Sequence, residues 1–556
     1  MSKQLYNQRM ILKLNSKTLK ENNWDFNITI EQAKEEVFPE NKLISLGDSQ
    51  LLRFFRQIKG INYSEEEINK VKKEIKISKK IDKNNVEHIN KLYDKLYGMV
   101  FMDGYIAVVF DNKKDFDRAT NKDGFKVNGK KYKRLIGTTG GVKQNTVMFC
   151  EESIHEELNN KLENDWNKKT KLIPAKFEAY KSLSASASSP VTQPRGILVI
   201  KDASVRVNDK VIMISDDGEG KFKIQHDFDY TAEKEFCDGC GMISPRLAEQ
   251  WAIDLGLTKI VNGKVVADYI PSGFNTRWSY NKGMVFTFPY LEFATEVAGE
   301  YMVKDAWDNY QDIRNVDIIL TTNMLKLWNA YDSIEDYISK CNKNGYKLSV
   351  SKVCPKILEE KRNMNYQYLQ SYEMSDEDLY ELCKENIDII NGSLGDKWEN
   401  MVLYTNGENM TEKNITSIDY VIDRALLIDK NVAKDGFIKK KVANMIKRKI
   451  NDSKKGVIQV NGNYSIISGD LYGLCQGMFG LPITGILNKN EFYSNTWNEK
   501  GVNKIVAYRS PMTSHNNIKI MNLVKNEKTE KWFRYMKTCT VFNAWDTTTD
   551  KMNGAD

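Results

Sequence analysis

No run of apolar residues approaches the about 18 that a membrane-crossing helix needs, and residues 1–30 are polar and mixed in charge. These absences lead us to expect a cytoplasmic protein with no membrane partner. The eight cysteines (150, 237, 240, 341, 354, 383, 475 and 539) are scattered, and only Cys237 and Cys240 lie close together. No second CxxC or histidine pair stands at zinc spacing, so the thiols read as reduced cytosolic cysteines. A Walker A loop is absent too. The run Gly137-Thr138-Thr139-Gly140-Gly141-Val142-Lys143 has the glycines, but Gln144 follows where Ser or Thr must open a helix, which argues against an ATPase. Proline is scarce, at 10 residues, while Asn, Lys and Ile abound, a bias that fits an AT-rich coding genome.

At 556 residues the chain is long enough for three or four packed units. A hydrophobic content of 41% beside 28% charged residues is that of a soluble globular protein. The net charge of +7 permits nucleic-acid binding, but only clustering would argue for it. Residues 1–100 are helical by pattern, with Ile68, Val71 and Ile75 on one stripe and a solvated Lys/Glu face over 65–95. A buried strand is expected over 105–110, a hairpin around Asn128-Gly129, and a charged helix over 151–171. Strands are expected at 196–202 and 210–215. The run Asp216-Asp217-Gly218-Glu219-Gly220 lacks EF-hand spacing and reads as a turn. Met324, Trp328, Tyr331, Ile334 and Ile338 suggest one helix, and 358–390 and 417–450 further helices. The last ends in two basic clusters, Lys439-Lys440-Lys441 and Lys447-Arg448-Lys449, the strongest candidates for nucleic-acid backbone contact, with a solvated helix end as the plainer alternative. Strands return at 457–460 and 464–467 around Asn461-Gly462.

The most informative stretch is 236–289, FCDGCGMISPRLAEQW and onward. Asp238-Gly239-Cys240-Gly241 is a tight turn that lets backbone approach a ligand. Ser244 is an N-cap with Pro245 at the first helical position, Leu247, Trp251 and Leu255 form one apolar stripe, and Gly256 ends the helix. Asn262-Gly263 turns a hairpin. Arg277 and Lys282 then arrive beside a strand over 284–288, a plausible setting for an anion such as a polyphosphate.

The ordered pieces DGCGMIS and PSGFNTRWSYNKGMV resemble the first double-psi β-barrel of the single-chain RNA polymerases. These comprise the RNA-silencing RNA-dependent polymerases of eukaryotes and the DNA-dependent polymerases of SPβ-type prophages and crAss-like phages. The resemblance implies an α+β fold with two double-psi β-barrels. Residues 1–100 would form a helical amino-terminal region and 101–175 a strand-rich domain. The first barrel would span 176–317, a helical connector 318–455, and a second barrel, incomplete at its C-terminus, 456–556. The segment from Tyr180 to Ser189, which composition alone would call a Ser-rich linker, matches an ordered stretch of that family.

The same resemblance implies roles. Arg277 and Lys282 would bind the triphosphate or the RNA 3′-end phosphates. Arg509, in the R-x-P segment Arg509-Ser510-Pro511 ahead of His515, would lie beside the ribose of the incoming nucleotide. Asp238 and Lys143 join it as substrate-binding candidates, Lys143 toward template or product phosphates. Asp556 matches the first aspartate of the D-x-D-G-D signature that holds Mg²⁺, so it is the expected catalytic metal ligand. Asp546, Asp550 and Asp556 as a substitute triad fit no metal spacing. The expected partners are a DNA template, an RNA product, ribonucleoside triphosphates and a second chain completing the signature, with an open sheet edge on the unfinished barrel. A silencing-type RNA-dependent polymerase and a non-catalytic nucleic-acid-binding fragment or split-polymerase subunit stay open as alternatives at this point.

Overall fold

Most of the chain follows local signals into short elements, and three larger sheets gather them. The computed structural model describes residues 7–81, 85–137, 145–394, 398–399, 401–402 and 418–552. The amino-terminal sheet runs, edge to edge, Asp25–Phe26, Phe125–Val127, Lys130–Ile136, Thr146–Glu151, Phe101–Val109, Gln8–Asn15 and Lys42–Gly47. Glu65–Ile81 and Val86–Val100 are helices that pack through Ile68, Val71, Ile75, Met99 and Val100. Gln8–Asn15 and Lys42–Gly47, however, are strands of the same sheet as Phe101–Val109, which corrects the helical reading of 1–100. The strand pattern was masked because Arg9 occupies a fully buried position, where it pairs with Asp48 and Glu65.

The other two sheets share one topology. In the first, five strands occur in chain order as Ile197–Ile200, Cys240–Ile243, Gly273–Trp278, Asn281–Thr287 and Ile318–Thr321, and they lie side by side as first, fifth, second, fourth, third. Neighbours alternate parallel, antiparallel, parallel, antiparallel. In the second, Ile466–Ser468, Glu491–Ser494, Lys504–Ala507, Lys519–Leu523 and Cys539–Phe542 take the same order with the same alternation. The first sheet continues past Gly273–Trp278 to Ser349–Val353 and Ser189–Pro190. The chain is thus α+β around a duplicated mixed sheet.

One apolar core joins the pair. Leu198, Met242, Phe286, Phe288 and Phe293 of the first half pack with Leu474, Cys475, Trp532, Phe533 and Val541 of the second. The Phe288 and Trp532 rings stack at 6.2 Å, and Phe293 meets Tyr472 edge-on at 4.9 Å. Such rings add about 0.5–1.5 kcal/mol per pair beyond their burial.

Several local expectations are corrected. Ser204–Asp216 does not join the first sheet but pairs with Phe222–Glu235 in a long separate hairpin. The Asp216-Asp217-Gly218-Glu219-Gly220 run is the turn at its tip, with Asp217 Oδ1 accepting from Glu219 N and Lys221 N. The helix expected from Met324 starts only at Ile334, where Ser333 caps it, and Met324 is buried in the turn after Ile318–Thr321. Within 358–390, Lys361–Asn363 is a strand, and it pairs with Gln459–Asn461. Of the two strands expected around Asn461-Gly462, the first pairs there and the second, Ile466–Ser468, goes to Cys539–Phe542.

Candidate active site

The turn at Asp238 is built by local chemistry. Cys240 N donates to Cys237 O at 2.9 Å, with Gly239 at φ 67. The chain then forms Cys240–Ile243, the Ser244 cap with Pro245 in the first turn, and Pro245–Asp254, which buries Leu247 and Trp251. Cys240–Ile243 lies parallel to Asn281–Thr287, and Met284 N donates to Gly239 O at 2.9 Å. A Cβ on Gly283 would sit 2.6 Å from that same oxygen. Only glycine lets the Asp238 turn close against Lys282-Gly283.

Arg277 and Lys282 face each other directly across Gly273–Trp278 and Asn281–Thr287, so their side chains share a face. Arg277 Nη1 donates to Thr276 O at 2.7 Å and to Asn275 Oδ1, an oxygen that also accepts from Ser351 Oγ at 2.7 Å. Its Nε is buried without a hydrogen-bond partner, and burial pushes the guanidinium pKa down to about 10. Among the described residues neither Arg277 nor the exposed Lys282 forms an ion pair. A half-buried cation with no carboxylate is a good seat for an anionic ligand.

Beside this pair the structure gathers carboxylates that the sequence did not single out as a group. Oxygens of Asp202, Glu235 and Asp238 all lie within 4.8 Å of one another. Thr322 Oγ1 and Asn323 N donate to Asp202 Oδ2, the latter at 2.8 Å, and Asn323 Nδ2 donates to Glu235 Oε2 at 2.6 Å. Asp202 Oδ1 is left buried with no hydrogen-bond partner. A set of carboxylate oxygens suits a hard divalent cation such as Mg²⁺. Asp202 follows Ile197–Ile200 far from any motif, and Glu235, directly before the 236–289 stretch, meets it only in the folded chain.

Glu235 and Asp238 line a small void of about 20 Å³ whose other side is Ile467, Gly469, Phe542 and Thr549. The walls are bound tightly together. Lys234, buried, donates from Nζ to Asp546 O at 2.6 Å. From the long hairpin, Asp209 accepts from Thr547 Oγ1 at 2.6 Å and from Lys551 Nζ. Asp546 itself accepts from Asn490 N at 3.0 Å, Asn543 Nδ2 at 2.7 Å and Thr548 N at 2.9 Å. These bonds make it a scaffold residue and set aside the substitute triad with Asp550. Asp556 and Lys143 lie outside the described residues.

Arg509 is exposed just beyond Lys504–Ala507, the third strand of the second sheet, and Arg277 stands on the third strand of the first. The basic clusters lie on Gly436–Ser453, which buries Ile438, Val442 and Ile446. Lys439, Lys440, Lys447 and Arg448 are exposed, Lys441 and Lys449 half-buried, and Lys449 Nζ donates to Gln459 Oε1 at 3.3 Å.

Known proteins share this chain's family and fold. The family model described as RNA dependent RNA polymerase matches residues 89–556. The DNA-directed RNA polymerase YonO of Bacillus phage SPbeta is 26% identical over 426 residues, covering 74% of this chain and 46% of the phage protein. The solved structure of RNA dependent RNA polymerase QDE-1 from Thielavia terrestris aligns with a TM-score of 0.54 at 14% identity, over 100% of this chain and 53% of that one. At that identity the likeness shows the fold, and the fold is the double-psi barrel type. The chain spans about half the length of these relatives. No described helix is long and apolar enough to cross a membrane. Because the family model covers most of its length, the chain belongs to the RNA-dependent RNA polymerase family.

Proposed function

We propose that the chain carries the two-barrel core of an RNA polymerase that adds ribonucleotides to an RNA 3′-end on a DNA template. The observation that carries this is the half-buried Arg277, without an ion pair, opposite Lys282 on the strand that packs against the Asp238 turn. In this reading Arg277 and Lys282 bind the triphosphate, and Arg509 orients the ribose. Asp238 approaches the substrate from its turn. Lys143 and the basic residues of Gly436–Ser453 follow nucleic-acid phosphates. Asp202, Glu235 and Asp238, with Asp556, are the residues that would hold Mg²⁺. When bound, Mg²⁺ neutralises charge on the reacting phosphate and the departing pyrophosphate. A DNA template is favoured because the matched phage protein is DNA-directed and 26% identical.

Two measurements test this. Calorimetric binding of Mg²⁺–ribonucleoside triphosphate should be weakened at least about tenfold in Arg277→Met, the scale of one charged hydrogen bond; unchanged binding overturns the site. Labelled ribonucleotide incorporation by the full chain should be directed by a single-stranded DNA template. Incorporation on RNA alone would move the assignment to the silencing type.

A further inference from the structure

Where the segment after Ser349–Val353 meets the second sheet, tyrosines collect on the surface. Tyr366, Tyr368 and Tyr372 come from the short helix Gln367–Ser371 and its flanks, Tyr508 follows Lys504–Ala507, and Tyr464 precedes Ile466–Ser468. The Tyr368 and Tyr372 rings lie 13° from parallel with centroids 6.2 Å apart, and Tyr508 meets Tyr368 at 5.3 Å. Pairing of Lys361–Asn363 with Gln459–Asn461 brings the Arg362 guanidinium 4.1 Å over the Tyr464 ring. Surface contacts tie the patch together. Asn365 Nδ2 donates to Ser510 Oγ at 2.7 Å, and Glu359 pairs with Arg362 at 2.6 Å. Yet Tyr366, Tyr372 and Tyr464 stay 52%, 49% and 60% exposed.

An aromatic surface held this firmly and left this open is more than the fold itself requires. Its surroundings say what covers it. Arg509 follows Tyr508 in the chain. Flat exposed rings, with Arg362 over one of them and Arg509 next in the chain, match unpaired bases strung on phosphates, because every base has a π face and its backbone carries negative charge. A duplex hides its base faces and does not fit.

We propose that Tyr368, Tyr372, Tyr464 and Tyr508, with Arg362, form a stacking platform for the unpaired bases of single-stranded nucleic acid. None of these rings lines the void at Asp238, and the platform rests on the polymerase reading only for the expectation that nucleic acid is nearby.

Fluorescence anisotropy with the full chain tests it, using oligo(dT), oligo(rU), an abasic strand of equal phosphate number, and a hairpin duplex. Tyr372→Ala and Tyr464→Ala, both at exposed positions, should each weaken oligonucleotide binding about 5- to 150-fold, the range for one stacked base. Tyr372→Phe and Tyr464→Phe should bind as the parent does. The abasic strand should be insensitive to all four changes. The oligo(dT) and oligo(rU) arms tell a DNA occupant from an RNA one. The proposal is overturned if the parent chain fails to bind single strands, if the alanine variants bind them normally, or if base-bearing and abasic strands lose affinity equally. Mg²⁺–triphosphate binding should survive Tyr372→Ala, so failure of the triphosphate site and failure of the platform are told apart.

Discussion

At Gly469 the backbone of the second half packs tightly against the Phe236-Cys237 turn of the first. A Cβ there would lie 2.1 Å from Phe236 O and 2.5 Å from Cys237 Sγ. Gly469→Ala must push apart the turn that carries Asp238, and we expect a loss of about 1–3 kcal/mol in urea denaturation. Gly462→Ala, where only Val460 Cγ2 at 3.9 Å is near, should change little. Arg277 gives the opposite balance. Replacing a half-buried cation that has no carboxylate should leave stability unchanged or raise it by up to about 1 kcal/mol, while triphosphate affinity falls. Denaturation and calorimetry on the same Arg277→Met sample check both halves of that statement. These residues were partly legible in the sequence. Asp238, Arg277 and Lys282 stand in short ordered motifs, but Asp202 and Glu235 carry no local signal. Asp202 follows Ile197–Ile200 at the offset by which Asp470 follows Ile466–Ser468, yet their environments differ. Burial pushes the Asp470 carboxyl up against the pull of four backbone N–H donors, from Ile486, Leu487, Gly473 and Tyr472. Asp202 keeps one oxygen without a partner.

At the scale of elements, Asp317 ties three together. It accepts from Arg195 Nε at 3.0 Å, Arg246 Nη2 at 2.6 Å and Ser244 Oγ at 3.3 Å, linking Ile318–Thr321 to Ile197–Ile200 and to the cap of Pro245–Asp254. Burial would raise its carboxyl, but the bonds from Arg195 and Arg246 prevail and hold it at about 2. The folded value lies below the unfolded one of about 3.9. The stabilisation is therefore full above about pH 4 and is lost as pH falls through the folded value near 2. Asp317→Asn should cost about 3 kcal/mol at neutral pH and flatten the acid limb of a stability–pH curve. The basic helix makes a separate prediction. Lys447→Ala with Arg448→Ala should reduce the slope of log affinity against log salt for single strands by about 0.7 per charge removed. Elements governed by their own residues, such as the Ser244-capped helix and the Asn262-Gly263 hairpin, were readable in advance. Those governed by distant partners were not. The hairpin of Ser204–Asp216 and Phe222–Glu235 buries Val205 and Val207 near its base but leaves Ile212, Ile214, Phe222 and Ile224 exposed, so the apolar residues of its outer half mark no core face.

At the scale of the whole molecule, the shared core makes the two sheets thermodynamically one body. Apolar residues of both halves lie in a single cluster, and ion pairs from Glu292 to Arg534 and from Glu296 to Lys531 bridge the same boundary. We expect hydrogen exchange in Cys240–Ile243 and Cys539–Phe542 to follow one opening free energy, with Glu65–Ile81 and Val86–Val100 exchanging sooner. Two distinct free energies for the paired strands would refute it. The duplicated strand order was invisible in the sequence because the two copies share a path through space rather than a string of residues. The resemblance to a family supplied what periodicity could not.

The grip of the long hairpin on the far end of the chain has one more result. Asp209 and Lys234 seat the stretch from Asp546 to Lys551 using groups that belong to the other half. A chimera that exchanged only the later sheet with that of a cousin would arrive without its moorings. Swaps between relatives should succeed only when these two residues travel with the segment they anchor.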